Sequence, residues 1–219
     1  MTPYAALQAR VRRSPSAPLL TFYDLATGER MELSALSLDN AVAKTAGLLR
    51  DDLDVMPGDR VGVHLPLHWQ RAVWWGACAA VGADFLADAS PTDVEVSVLD
   101  REHLGLAGIS REDVLVSLEP FGLPSREPAP PGVTDHALAA RAHPDVFVPF
   151  VEPAGDQMRA AESLAEDLGL AHGQRVVVTE GASDLLLLAV PLAIDGAAVL
   201  VRHADAGDLE AVLRAEGAR

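Results

Sequence analysis

Apolar residues along this chain fall into short runs and helical repeats separated by glycine and proline turns. Leu38, Val42, Ala46 and Leu49 recur at helical spacing, so a helix is predicted from Ser34 or Ser37, either of which can cap it, to about Leu53. Tyr4 to Arg13 is a shorter amphipathic helix, stopped by Ser14-Pro15-Ser16-Ala17-Pro18. Leu19 to Leu25 and Arg30 to Leu33 flank the turn Ala26-Thr27-Gly28-Glu29 and read as a hairpin. Arg60 to Leu65 is a Val-rich strand ended by Pro66. Trp69 to Val81 is apolar all round apart from Gln70 and Arg71, which predicts a buried helix capped by Gly82. Trp69, Trp74 and Trp75 are therefore assigned to the core rather than to a contact surface. Asp84 to Ala87, Val94 to Leu99 and Val114 to Leu118 are further strands. Strand, helix and strand in quick succession predict a parallel βαβ crossover.

The pattern changes at Glu119. Prolines 120, 124, 128, 130, 131, 144, 149 and 153 follow, a density that excludes regular helix and central strand. Glu119 to Thr134 reads as a loop or linker. Beyond it come a helix over Gln157 to Leu168, a strand over Arg175 to Thr179, a buried helix over Ser183 to Ile194, a strand over Ala197 to Val201 and a helix over Asp208 to Glu216. The division expected is residues 1–118 as a first α/β half with the N-terminal hairpin, 119–153 as a proline-rich connection and 154–219 as a second, shorter half. The alternative is one compact domain.

The two halves share a pattern. Gly58-x-Arg60-Val61-x-Val63 matches Gly173-x-Arg175-Val176-x-Val178 at an offset of 115, and Gly82-Ala83 matches Gly196-Ala197 at 114. The fold class expected is α/β, two related βαβ-type halves with mostly parallel strands.

Composition narrows the partners. The chain of 219 residues carries a formal net charge of −15, which disfavours nucleic acid and anionic membranes. The lone cysteine, Cys78, excludes an internal disulfide and fits a reducing, cytoplasmic setting. Arg10, Arg12 and Arg13 precede no apolar segment, so no signal peptide is expected, and the apolar run Leu185 to Ile194 is too short to span a bilayer. Of 17 basic residues only Lys44 is a lysine.

Leu33-Ser34-Ala35-Leu36 after the hairpin, Pro57-Gly58-Asp59-Arg60-Val61-Gly62-Val63-His64-Leu65-Pro66, and the buried helix ending Ala80-Val81-Gly82-Ala83 together resemble the N-terminal region of the adenylate-forming (AMP-binding, acyl-CoA synthetase-like) superfamily. The similarity runs from about Leu19 to Ala87 and more weakly from Leu170 to Val201. It implies part of that family's large domain, with two sheet-based subdomains of similar topology. The family binds ATP phosphates in a Ser/Thr/Gly-rich loop ending Pro-Lys-Gly, where glycines allow close backbone approach, hydroxyls meet phosphate oxygens and a lysine supplies charge. The stretch in that place, Val146 to Gly155, has one glycine, no Ser, Thr or Lys, and adds Glu152. Lys44 matches no family lysine. The sequence also stops short of the family's adenine-binding aromatic motif, ribose-binding Asp and C-terminal domain with its catalytic lysine. The resemblance therefore implies the fold and argues against the reaction.

Other constellations are bland. His64 and His68 are separated by Pro66 and have no Cys or acidic pair close in sequence, so no zinc site is expected. His136, His143 and His203 read as surface or loop residues. There is no Gly-x-Ser-x-Gly elbow, and Gly105-Leu106-Ala107-Gly108 lacks the context of a dinucleotide fingerprint. One turn is retained: Thr179, Gly181 and Ser183, after a strand and before a helix, could bind an anion, against the simpler reading of Ser183 as a helix cap. No catalytic residue, metal or cofactor is assigned. The functional expectation is a truncated, non-catalytic relative with a binding or interaction role, through self-association or a protein partner. The alternatives are a vestigial nucleotide, acyl or CoA binder, or one part of an acyl-activating enzyme completed by another chain.

Overall fold

The protein, represented by a computed structural model, is described for residues 1–149, 156–205 and 207–218. Its elements are α1 (Pro3–Arg13), β1 (Pro18–Asp24), β2 (Glu29–Ser34), α2 (Ala35–Gly47), β3 (Arg60–His64), α3 (Trp69–Val81), β4 (Asp84–Ala87), β5 (Val96–Leu99), β6 (Glu112–Leu115), β7 (Val133–Asp135), α4 (His136–Ala139), α5 (Asp156–Asp167), β8 (Arg175–Val178), α6 (Ala189–Ala193), β9 (Ala197–Arg202) and α7 (Leu209–Glu216). Two sheets form, ordered β2-β1-β9-β8 and β4-β3-β5-β6-β7, and every pairing except β1 with β2 is parallel. The mixed α/β class with mostly parallel strands is as expected. Two compact units result, one of residues 1–39, 67–75 and 154–219, the other of residues 40–66 and 76–153.

In the first unit, β1 is the hinge of the sheet. It pairs antiparallel with β2 and parallel with β9, opposite Ala198 to Arg202. The hairpin, read with the first half of the sequence, thus joins the strands of the C-terminal half. Leu19, Leu20, Thr21 and Phe22 are buried, as are Ala197 to Val201, as strands covered on both faces require. Val212 and Ala218 of the C-terminal segment pack with Val199 and Val201. An ionic lock holds the end of α7: Glu216 takes hydrogen bonds from Tyr23 and Arg30 and pairs with Arg175 at 2.6 Å. Burial alone would raise the Glu216 carboxyl; the Tyr23 hydroxyl and the two guanidiniums hold it below its ordinary value.

In the second unit, β3 and β5 are central and almost wholly buried. β7 is an edge strand of three residues, directly after Pro130-Pro131-Gly132. Part of the stretch expected as a connection is therefore sheet; prolines that cannot donate to a ladder sit before the edge strand, not in it. α2 ends in a π turn over Leu48–Asp52.

The duplicated pattern is visible as β3-α3-β4 and β8-α6-β9, with one change of register. Gly82 adopts a left-handed conformation (φ 83°), and the following Ala83 N–H reaches back to Cys78 O. In the second copy the left-handed residue is Asp195 (φ 55°), and Gly196 N–H reaches back to Pro191 O. Both are Schellman-type ends, so Gly82 corresponds to Asp195 rather than Gly196. Gly196 is needed for space: a Cβ there would overlap the Gln174 carbonyl oxygen. The buried helix expected over Ser183 to Ile194 is broken into a 3-10 turn at Asp184–Leu187 and the short α6, with Leu188 non-helical at φ −151°. Pro191 removes an amide that a continuous helix would use. Trp69, Trp74 and Trp75 are buried, as expected.

Candidate functional site

Strands β1, β9 and β8 run parallel, so their carboxyl ends lie on one edge of the first unit's sheet. In open α/β sheets ligands favour that edge. Register puts Asp24 opposite Arg202, and three elements meet there. The buried Asp24 carboxylate accepts from the N–H groups of Ala26 (2.9 Å) and Thr27 (3.3 Å), and its Oδ1 lies 2.8 Å from His203 Nδ1. Burial pushes the Asp24 carboxyl up, but His203 and the two amides outweigh it and hold it below the ordinary value. The ionised Asp24 carboxylate accepts a hydrogen bond from His203 Nδ1–H. The His203 backbone is left-handed (φ 53°), and its N–H donates to Glu180 Oε1 at 2.6 Å. A non-glycine residue in that conformation is strained by about 1–2 kcal/mol and is held there by its surroundings.

His68, just before α3, lies on the same unit. Its ring meets Phe22 edge-on at 4.6 Å, its Nδ1 accepts from Gln70 N–H at 3.3 Å, and its Nε2 is buried without a hydrogen-bond partner among the described residues. Burial, aided by Arg202 and opposed by Asp24, pushes its pKa down to about 3, so the ring is neutral.

The turn retained from the sequence borders this edge. Gly181 is left-handed (φ 79°), and Ser183 caps the 3-10 turn by accepting from Leu185 N–H. Carboxylates stand on both sides: Glu180 binds the His203 amide, and Asp184 accepts from Arg71 Nε at 2.9 Å. The structure thus brings Thr179, Gly181 and Ser183 to the sheet edge with Asp24 and His203, which sequence reading left as unrelated residues. The local signal was only that Asp24 and His203 each follow an apolar strand segment; what joins them is the pairing of β1 with β9, far apart in sequence.

In the second unit the start of the stretch compared with the phosphate loop, and the residues just before it, are clamped along the end of α2 and the π turn that follows. Lys44, the chain's lysine, pairs with Asp145 at 2.9 Å and donates to His143 O at 3.3 Å. Arg50, in the π turn, donates to Val148 O at 2.9 Å and lies 4.4 Å from the centre of the Phe147 ring. His143 Nε2 lies 3.1 Å from Asp52. Lys44 is thereby committed to a structural contact. Residues 150–155, which include Glu152, lie outside the described residues.

Of the other histidines, His136 is buried against the Thr45 hydroxyl (2.9 Å), and burial lowers its pKa to about 4. Among the described residues no three His, Cys, Asp or Glu side chains converge as a metal-ligand set, and no helix is long and apolar enough to cross a membrane.

No protein-family model matches the sequence. Among solved structures, an acetoacetyl-CoA synthetase from Streptomyces lividans has a similar fold, with a TM-score of 0.71 and 20% sequence identity. The likeness covers 92% of this chain and 38% of the synthetase. Among curated proteins, a "TIGR03089 family protein" of Mycobacterium tuberculosis (strain ATCC 25618 / H37Rv) is 40% identical over 196 residues, covering 80% of this chain and 77% of the relative. By that similarity the chain belongs to the TIGR03089 family.

Proposed function

We propose that this chain is a binding or interaction protein on an acyl-CoA synthetase-like scaffold, related to the adenylate-forming enzymes, and that it does not activate carboxylates with ATP. The observation that carries this reading is the chemistry of the first unit's sheet edge. At the turn that could take an anion, Glu180 and Asp184 stand on either side and the Ser183 hydroxyl is engaged by Leu185 N–H, while the stretch in the family's phosphate-loop position, Val146 to Gly155, has no Ser, Thr or Lys. Each carboxylate close to a phosphate oxygen costs about 1 kcal/mol in water at 4 Å and several times that when shielded from solvent. The net charge of −15 turns the expectation away from nucleic acid and anionic membrane and toward a protein partner or a second copy.

Isothermal calorimetry with ATP, AMP and CoA at millimolar concentration, paired with pyrophosphate release over a carboxylate panel, tests the reading. No heat with ATP and no pyrophosphate are expected. Carboxylate-dependent pyrophosphate release would overturn it. Saturable heat with AMP or CoA but no turnover would replace it with vestigial ligand binding. Light scattering coupled to gel filtration reads self-association directly.

A further inference from the structure

The second unit's sheet has a topological switch point. In the order β4-β3-β5-β6-β7, the chain leaves β3 to one side for β4 and then crosses to the other side for β5. Strand order therefore reverses between β3 and β5, the place where parallel sheets open a crevice at their carboxyl ends. The residues that finish these strands bear charge and imidazole. His64 ends β3, Asp88 follows β4 and Asp100 follows β5. His64 Nδ1 lies 3.9 Å from Asp88 Oδ1, Asp100 Oδ1 lies 2.7 Å from His103 Nδ1, and the two imidazole rings are 5.9 Å apart.

Three features separate this cluster from an ordinary solvated one. The His64 side chain is only 5% exposed, and its Nε2, which faces the β3–β5 seam over Gly62, has no hydrogen-bond partner among the described residues. Ser97, opposite Gly62 across that seam, also has a buried hydroxyl without one. Asp88 is left-handed (φ 50°), a strained conformation that holds a largely exposed carboxylate (69%) beside His64. Arg101, the nearest arginine in sequence, turns away to Ser125 and to Glu127.

We infer that the carboxyl ends of β3, β4 and β5 form a binding site for a small organic cation, such as a protonated amine. Two carboxylates supply the charge, His64 Nε2 supplies an acceptor for an N–H donor, and the His103 ring stands beside Asp100. His64 suits this role: burial holds its pKa below the ordinary value, with His103 acting the same way and Asp88, a hydrogen bond with the Ala89 backbone and Asp100 opposing. An uncharged imidazole accepts from an ammonium instead of repelling it. Anions are disfavoured by the same two carboxylates.

The test is an NMR titration of the whole chain labelled at histidine, with ethylammonium chloride as probe and sodium acetate as comparator, at low salt. The His64 and His103 ring resonances are expected to move saturably with ethylammonium at low-millimolar midpoint, while those of His143 and His172 stay. Asp88→Asn alters an exposed side chain and is expected to weaken the midpoint at least fivefold, with Asp167→Asn as the equal-charge control. No saturable movement, equal movement of all histidines, or an unchanged midpoint in Asp88→Asn overturns the site.

Discussion

Gly196→Ala isolates how tightly the second βαβ copy is closed. The added Cβ would overlap the Gln174 carbonyl oxygen and stand 3.1 Å from both the Gln174 carbonyl carbon and Ile194 Cγ1, inside the roughly 3.5–4.0 Å of an ordinary contact. Relief requires moving the backbone that receives Ala197 N–H at 3.3 Å and whose neighbour Gly173 N–H donates to Ile194 O at 2.7 Å. Losing or stretching these two bonds costs about 1 kcal/mol each, and overpacking adds about 1–3 kcal/mol. The expected loss is about 3–5 kcal/mol, or about 6–20 °C in midpoint at roughly 2–4 °C per kcal/mol for a chain of this size. Gly105→Ala is the control, because a Cβ there meets nothing within 4 Å and the backbone is not left-handed; it should stay within about 0.5 kcal/mol of the parent. Thermal and urea unfolding of both variants measure the difference. If Gly196→Ala melts with Gly105→Ala, the close approach at Gln174 does not exist.

Arg50→Ala should free the clamped segment at a local cost of about 1–2 kcal/mol, read as faster amide exchange and earlier proteolysis at residues 143–148 with little change in global midpoint. Stability should fall with acid. His68 and His136 have folded pKa values of about 3 and about 4, below the ordinary 6.5, so their contribution is whole above pH 6.5 and is lost as pH falls from there toward those values. Each contributes a slope of up to about 1.4 kcal/mol per pH unit in that window, and urea midpoints between pH 7.5 and 4 check it. Cys78 is buried with its thiol pushed up by burial, so a thiol reagent should label it only after denaturation.

Most elements were legible because local chemistry and burial agree in them. Trp69 to Val81 is apolar all round and is buried; Arg60 to His64 is Val-rich and central. What escaped the sequence is set by distant partners. Nothing near Leu19 to Asp24 announces that β9, far along the chain, is its parallel neighbour. That pairing alone brings His203 to Asp24, so the polar centre of the edge could not be read from spacing. The repeat was legible in its strands, yet its helix end was off by one residue. Gly196 looks like Gly82 in sequence, while Asp195 takes the left-handed place by backbone geometry. The break at Leu188 was signalled by Pro191, but the long leucine run around it argued for a continuous helix.

The pairing of β1 with β9 also governs the order in which the molecule can mature. The hairpin of β1 and β2 leaves the ribosome well before β9 does. Until β9 arrives, the hydrogen-bonding edge of β1 is unpaired, with Leu20 and Phe22 beside it. Such long-range pairing slows folding and leaves a sticky strand edge during synthesis. Nascent chains stalled before residue 197 should therefore engage chaperones or aggregate through the hairpin, and release of β9 should end that hazard in one step.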